Sequence, residues 1–320
     1  MSARAKRGIG RAASEGEGEV AGRSRSYRLK GGESPAEGIR RIAVGRADKA
    51  VEELGGGELA ESIHSGRKDL KKLRSALRLV RGELGDDLYR AENRRYRDAG
   101  RLLAQSRDAE VKVETLRSLR ERFGEELPRD LADAWLAALE RERDEIAGKA
   151  GSEGGSRIAE ARAAIAAGRA AIDDWPLRDD SWQLVEAGLL SSYRRGRRAM
   201  NRTRKNPSAE NVHEWRKRTK DLWYQLRILR DAWKPVLGET TDQAHGLADL
   251  LGDHHDLAVL VEDLASRELP GDRDAVRTAI DRRQQELLDG AFDTGARLFG
   301  EKPKAFGRRL ESYWVAWRSG

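Results

Sequence analysis

The sequence predicts an all-α protein built around a duplicated helical unit, and three observations lead to that prediction. Apolar residues recur at three- and four-residue spacing from Ser34 onward, which is the period of an amphipathic helix. Only seven prolines interrupt the 320 residues, and no segment shows a convincing alternation of apolar and polar residues. The third observation is a basic sequence motif that occurs twice, in different halves of the chain.

The composition favours helices that are apolar on one side only. Charged residues make up 37% of the chain and hydrophobic residues 38%, whereas typical proteins have about 25% and 45–50%. Most helices are therefore expected to keep one face in water. Lys and Arg outnumber Asp and Glu, so the formal charge is +7. The chain has no cysteine, which excludes disulfides and cysteine-bound metals.

Residues 1–33 are predicted to form a disordered basic arm. They are rich in Arg, Gly, Ser and Glu and lack any apolar period. They also lack the apolar segment of a secretion signal, and no later apolar run approaches the roughly 18 residues of a membrane span. We therefore expect a cytoplasmic protein with no membrane partner.

The first helix is predicted to begin after Ser34. Ser34, Pro35 and Glu37 match an N-cap, a first-turn proline and a capping-box glutamate. Further breaks are expected at clusters of Gly and Pro, which are residues 55–57, 82–85, 123–128 and 148–157. The last cluster is predicted to be a linker between two helical bundles, the first at 34–147 and the second at 158–320.

The two copies of the basic motif read His-x-x-Arg-Lys-x-x-Lys and begin at His64 and His213. A shift of 149 positions carries eight residues of the first copy onto identical residues of the second. They are His64, Arg67, Lys68, Lys71, Leu73, Leu77, Arg78 and Arg81, which match His213, Arg216, Lys217, Lys220, Leu222, Leu226, Arg227 and Arg230. A shift of 148 aligns seven further residues between 102 and 116 with residues between 250 and 264. A duplicated helical unit explains this pattern better than coincidence.

A helical wheel separates a basic face from an apolar face in both motif helices. At about 100° per residue, most basic residues after His64 fall within roughly 60° of it, while Leu70 and Leu77 lie on the far side. From His64 to Arg81 there are seven basic residues and one acid, Asp69. Like charges this close repel one another. We therefore expect an anionic partner, with a solvated basic face as the alternative.

A third basic run, residues 193–205, contains no acid, and its counterpart in the first half is the weaker stretch around Arg46. If each half places its first two helices side by side, four basic helices converge on one surface or channel and concentrate positive potential there. The candidate anion-binding residues belong to these four helices. They are His64, Arg67, Lys68, Lys71, Arg74, Arg78, His213, Arg216, Lys217, Lys220, Arg227, Arg46, Arg194 and Arg197.

The doubled motif, followed in each half by an Arg-Asp or His-Asp pair and a valine-rich helix, resembles the CHAD family, the conserved histidine α-helical domain. The resemblance covers the chain from about Tyr27 to the C-terminus. It implies two four-helix bundles related by a pseudo-twofold, a basic central groove or pore, and binding of inorganic polyphosphate through the motif residues. This sequence departs from the family pattern at His255, where Arg is usual, and at Lys68 and Lys217, where a small apolar residue is common.

Polyphosphate suits such a surface because it is a flexible chain of phosphoryl units, each carrying about one negative charge. Arg offers forked contacts to phosphoryl oxygens, and Lys offers point charges. The motif histidines are expected to strengthen binding as the pH falls through about 6.5. Other polyanions remain alternative ligands, and association with polyphosphate granules is one expectation for the protein's location.

Two other function classes remain open. A nucleic-acid binder would use similar phosphate contacts, although Tyr224 is the one aromatic residue on a basic face that is placed for base stacking. An enzyme acting on polyphosphate, or its accessory module, would need a Walker loop or an acidic magnesium cluster, and the sequence shows neither. We therefore predict no catalytic residue and no cofactor. No metal site is predicted either, because neither His64 nor His213 is followed by a His or Cys three or four residues later.

Overall fold

The described residues of the computed structural model are 25–57, 59–103, 107–124 and 126–319, and every regular element within them is a helix. The all-α prediction is confirmed. The helices are α1 (Pro35–Glu53), α2 (Leu59–Leu79), α3 (Arg81–Leu84), α4 (Asp86–Leu102), α5 (Arg107–Phe123), α6 (Arg129–Ala171), α7 (Gln183–Lys205), α8 (Ala209–Leu229), α9 (Lys234–Ser266), α10 (Arg273–Leu298) and α11 (Pro303–Ser319). A short 3-10 helix, Arg230–Trp233, joins α8 to α9. None of these helices combines the length and the apolar character that crossing a bilayer requires.

Helix α1 begins as predicted. The Ser34 hydroxyl accepts a hydrogen bond from the Glu37 amide at 3.5 Å, and Pro35 occupies the first turn. The breaks predicted at 55–57 and 123–128 are also confirmed, because α1 ends at Glu53 and α2 begins at Leu59, while α5 ends at Phe123 and α6 begins at Arg129. The break predicted at 82–85 is narrower, because residues 82–84 belong to α3. Gly85, between α3 and α4, has a φ of 73°, a conformation that favours glycine.

The predicted linker at 148–157 is wrong, because these residues lie inside the single long helix α6. Each glycine there lowers helix propensity by about 1 kcal/mol relative to alanine, but no proline interrupts the backbone hydrogen bonds. Trp135 and Ile165, toward the two ends of α6, are buried in two different apolar clusters. Tertiary packing at both ends therefore outweighs the weak local propensity of the middle.

The buried apolar side chains form two clusters, and each cluster contains helices from both halves of the sequence. The main core lies chiefly among α1, α2, α4, α7, α8 and α11, with the end of α6 and the start of α9. The distal core contains α5, the start of α6, the end of α9 and much of α10. Because α6 and α9 contribute to both cores, the two halves interlock.

The order of the helices repeats along the chain. Helix α7, helix α8, the 3-10 helix and α9 begin 148, 150, 149 and 148 residues after α1, α2, α3 and α4. At the same offset, α4 and α5 of the first half correspond to the one continuous helix α9, and α6 corresponds to α10 plus α11. Superposition of the two halves through a pseudo-twofold stays a prediction.

The expected disorder of the N-terminal arm is wrong for residues 25–33, while residues 1–24 lie outside the described part of the chain. Tyr27 and Leu29 are buried in the main core. The Leu29 amide donates to the carbonyl of Ile228, and the Tyr27 hydroxyl donates to the carbonyl of Lys72, both at 2.9 Å. Two apolar side chains are too few to produce a recognisable hydrophobic periodicity. The sequence pattern therefore does not indicate that this segment packs into the core.

Candidate anion-binding surface

Helix α2 separates its two faces as the wheel predicts. Leu73 and Leu77 are buried, whereas Lys68 and Lys71 are exposed. His64 is half-buried in the same basic stripe. Two cations of the motif are therefore accessible to a ligand on α2.

Helix α8 presents its basic face in the same way. Leu222 is buried, while Lys217 is exposed with its Nζ 3.0 Å from the Glu214 carboxylate. Lys220 is half-buried, and its Nζ lies 5.9 Å from the centroid of the Trp223 ring. This geometry allows a cation–π interaction.

The motif arginine of each helix contacts the chain that follows it. Arg67 donates from Nη1 to the carbonyl of Leu103, just after α4, at 2.8 Å. Arg216 directs Nη1 toward the carboxylate of Asp256 in α9, at 3.9 Å. Both guanidinium groups are held by the protein, so the exposed motif lysines are the more adaptable cations.

His213 lies beside His255, with 4.5 Å between the ring centroids. Burial lowers the pKa of His213 below its ordinary value of 6.5, and the nearby His255, Lys217 and Arg216 lower it further. The His213 imidazole is therefore neutral at neutral pH. Within the described ranges, no three His, Cys, Asp or Glu side chains are grouped so as to hold a metal ion.

The two motif helices touch where Arg78 of α2 meets α8. The Arg78 Nη1 lies 3.0 Å from the Asp221 carboxylate, and the Ser75 hydroxyl donates to the Asp221 carbonyl at 3.3 Å. Arg218 donates to the same carboxylate at 3.2 Å. Asp221 therefore lies between two arginines, one from each motif helix.

Two further arginines, Arg74 and Arg195, lie close enough to Arg78 for its charge to lower their pKa values. Burial and, next, the charge of Arg78 together lower the pKa of Arg74 to about 10. Burial also lowers the pKa of Arg195 on α7, and the charges of Arg218 and Arg78 act in the same direction. We call Arg74, Arg78, Arg195, Arg218 and Asp221 the Arg78 cluster. Its four cations exceed its one carboxylate, although Arg218 also pairs with Glu214.

A glycine allows α7 to come close enough to place Arg195 there. A Cβ atom built on Gly188 would lie 2.0 Å from the carbonyl oxygen of Leu79, in the last turn of α2. Any side chain at this position would push the two helices apart. Arg195 follows two turns later on α7, on the same face as Gly188.

This arrangement can be compared with known proteins. The sequence profile of the CHAD domain matches residues 41–265, well over half of the chain, and the match includes both motif helices. The chain belongs to the CHAD family. The crystal structure of the CHAD domain from the plant Ricinus communis is similar, with a TM-score of 0.58 and 17% identity over 89% of this chain and 98% of that chain. At this identity the likeness shows the fold alone. No curated protein matches the sequence significantly.

In this CHAD protein, one candidate residue is buried, and another is half-buried against the N-terminal segment. Arg46 is 4% exposed and pairs with Asp69 at 2.9 Å, so it is inaccessible in this arrangement, and its role in anion binding stays a prediction. It also donates to the carbonyl of Arg25. Arg227 lies over the Tyr27 ring, with 5.6 Å from Cζ to the centroid. The ordered N-terminal segment, which the sequence pattern does not reveal, contacts both.

The candidates on α7 differ from each other. Arg194 is exposed, whereas Arg197 donates from Nε to the carbonyl of Phe299 at 3.1 Å and is half-buried. Helix α2 packs against α1, α7 and α8, so the basic helices do contact one another. Whether His64 and His213 face one shared cavity stays a prediction.

The sequence reasoning missed Arg195, Arg218 and Lys72. A signal for them exists in the repeat itself. The 149-residue shift carries Asp69 onto Arg218 and Lys72 onto Asp221, so the two helices carry opposite charges at two matched positions. Asp69 pairs with Lys72 at 3.3 Å within α2, and Arg218 pairs with Asp221 at 3.2 Å within α8, so the repeat keeps this ion pair with its charges reversed.

Proposed function

We propose that this CHAD protein binds inorganic polyphosphate without processing it. The observation that carries the proposal is that α2 and α8, which touch at Asp221, both present exposed or half-buried motif lysines along one face. The Arg78 cluster adds partly desolvated cations at the point of contact. A flexible anion can follow such a row of cations because successive phosphoryl units present the same charge to each of them.

The aromatic residues favour polyphosphate over a nucleic acid. Tyr224, the aromatic residue expected on a basic face, is buried, with its ring 6.4 Å from Tyr27 and 4.5 Å from Trp223. Because the Tyr224 ring is buried against these two aromatic side chains, a base cannot stack on it. Proteins that bind single-stranded nucleic acids usually rely on such stacking. The phosphate contacts alone suffice for polyphosphate.

The carboxylates of this surface support binding without turnover. Phosphoryl transfer needs metal-held carboxylates or a nucleophile. Asp221 is paired with Arg78 and Arg218, and Asp69 with Arg46 and Lys72, so these acids already have cationic partners. We propose that Mg²⁺ or Mn²⁺ produces no release of orthophosphate from the polymer. Turnover that disappears when Asp108 or Asp256 is changed would overturn this part of the proposal.

The test of binding replaces the motif lysines Lys68, Lys71, Lys217 and Lys220 by Gln. If each contact contributes about 1–3 kcal/mol, affinity for long-chain polyphosphate should fall well over tenfold. Its logarithmic dependence on salt should also flatten, because fewer counterions are released. Affinity is measured by fluorescence titration at several salt concentrations.

The matched control removes four positive charges elsewhere, at Arg117, Arg120, Arg141 and Arg143. Three of these pair with acids near the distal core, and surface pairs of this kind contribute little to stability. Equal losses in the two variants would show that only the overall charge matters. Competition by DNA, RNA, heparin, ATP and orthophosphate then separates polyphosphate binding from a general affinity for polyanions.

A further inference from the structure

The internal repeat relates two groups of charged residues at the contact between α2 and α8. A shift of 149 positions carries the first of the following sets onto the second. The sets are Arg46, Asp69, Lys72 and Arg78, and Arg195, Arg218, Asp221 and Arg227. The spatial grouping differs from the sequence grouping at one position. Arg78 of the first set contacts Asp221 of the second set, and Arg227 of the second set lies near the residues of the first set, beside the Tyr27 ring. The repeat therefore relates two clusters, and one of them is the Arg78 cluster without Arg74, whose counterpart under the same shift is Trp223.

The other cluster surrounds the ring of Tyr27. Three cations lie near its centroid: the Arg46 Cζ at 6.0 Å, the Lys72 Nζ at 5.8 Å and the Arg227 Cζ at 5.6 Å. Asp69 supplies the carboxylate, 2.9 Å from Arg46 and 3.3 Å from Lys72. We call these five residues the Tyr27 cluster. Its three cations exceed its one carboxylate, and the aromatic ring offsets only part of that excess.

The two clusters differ in their access to solvent. In the Arg78 cluster the side chains of Arg218 and Asp221 are 23% and 16% exposed. Their counterparts Asp69 and Lys72 are each 1% exposed. The residues that cover them belong to the N-terminal segment, since Tyr27 packs on the cations and the Arg25 carbonyl accepts from Arg46.

The segment that precedes α7 takes a different course from the one that precedes α1. The carbonyls of Trp175 and Leu177 both accept hydrogen bonds from Arg40 of α1 at 2.8 Å. By contrast, residues 25–29 cross onto the motif helices, where Leu29 bonds to Ile228 and Tyr27 to Lys72. The asymmetry of the two clusters therefore arises from the N-terminal segment.

We propose that the Tyr27 cluster is a second phosphoryl-binding site, related to the Arg78 cluster by the repeat, and that residues 25–29 close it. The inference rests on the proposed function, because the ligand is the same phosphoryl anion. A phosphoryl group and the Tyr27 ring compete for the same cations, so only one of them occupies the cluster at a time. The free protein therefore offers one of its two clusters to the polymer.

The test measures binding of tripolyphosphate, which is short enough to fill a single cluster, by isothermal titration calorimetry. Tyr27→Ala should bind one additional tripolyphosphate per chain relative to the wild type, and Tyr27→Phe, which keeps the ring, should not. Arg227→Gln should remove the additional site from the Tyr27→Ala protein. A folded Tyr27→Ala protein with wild-type stoichiometry would overturn the proposal.

A second measurement uses the wild-type protein, in case Tyr27→Ala does not fold. Because ligand and segment exclude each other, tripolyphosphate should increase the population in which residues 25–29 are released. Hydrogen exchange of the Leu29 amide should then become severalfold faster with saturating tripolyphosphate. Unchanged or slower exchange contradicts closure of a site by this segment. The proposed function itself is judged separately, by whether the wild type binds long-chain polyphosphate.

Discussion

His213 shows how the surroundings change the chemistry of one motif residue. Its ring lies against His255, and Lys217 and Arg216 extend from the same helix. Burial and these neighbours disfavour the imidazolium, so His213 becomes a cation only at lower pH or beside an anion. The pH below which His213 is expected to strengthen anion binding is therefore lower than about 6.5.

We expect the NMR titration of His213 to show a midpoint below 6.5 in the free protein. The unfolded chain then binds the extra proton more readily, so the free energy of unfolding should decrease as the pH falls from 6.5 toward that midpoint. Bound polyphosphate should raise the midpoint, because its charge favours the imidazolium. A midpoint at or above 6.5 in the free protein contradicts the described environment.

Asp263 holds three helices of the distal core together. Its carboxylate accepts hydrogen bonds from Lys112 of α5 at 2.9 Å, from the Trp135 indole of α6 at 2.8 Å, and from Arg267 at 2.5 Å. Burial raises the pKa of Asp263, but the bonds from Arg267, Trp135 and Lys112 outweigh burial and lower it to about 2. The carboxylate therefore stabilises the fold in its charged form.

Asp263→Ala should lower the free energy of unfolding at neutral pH by about 3–5 kcal/mol, because it removes one partner of a buried ion pair. Urea denaturation measures the change. The lowered pKa means that the stabilisation is present above pH 3.8 and is lost as the pH falls toward 2. The difference between wild type and variant should shrink over that interval, and a difference that does not depend on pH would exclude this ionic contribution.

Helix α6 shows how packing overrides local sequence. Its middle contains the glycines that suggest a linker, yet 43 residues form one helix. The first part of α6 lies against α5 in the distal core, and its later part lies against α1 and α4 in the main core. The helix therefore fixes the separation of the two cores.

Gly155→Ala should stabilise the protein by about 0.5–1 kcal/mol, because alanine favours the helical state. A Cβ atom at this exposed position would meet nothing within 4 Å, so no clash opposes the gain. The thermal midpoint measures the effect, and Gly155→Pro should lower it. If neither substitution changes the midpoint, residues around 155 are not helical in solution.

The two halves of the chain share both cores, and their helices follow one another in the same order. On this basis we expect an experimental structure in which α1, α2 and α4 superpose on α7, α8 and the first part of α9. His64 and His213 should then face one basic cavity near the pseudo-twofold axis. Histidines on opposite outer surfaces would contradict this symmetry.

The features that the sequence predicts are those that a helical period or a repeat can encode. Lys68 and Lys71 lie opposite Leu73 as the wheel requires, and the repeat identifies their counterparts on α8. Tyr27 and Arg195 were missed because their roles depend on contacts between distant segments. The linker prediction failed for the same reason, since the glycines of α6 are held in a helix by packing at its two ends.

The interlocked cores have a consequence for biosynthesis. The distal core needs Leu287 of α10, and the main core combines Tyr27 with Trp314 of α11. Neither can be completed when the ribosome has made only the first half of the chain. The nascent polypeptide must therefore keep apolar faces of α1 to α6 uncovered until α10 and α11 emerge, and partly synthesised chains of this kind are prone to aggregate. Chaperones that hold unfinished chains should bind this protein through most of its translation.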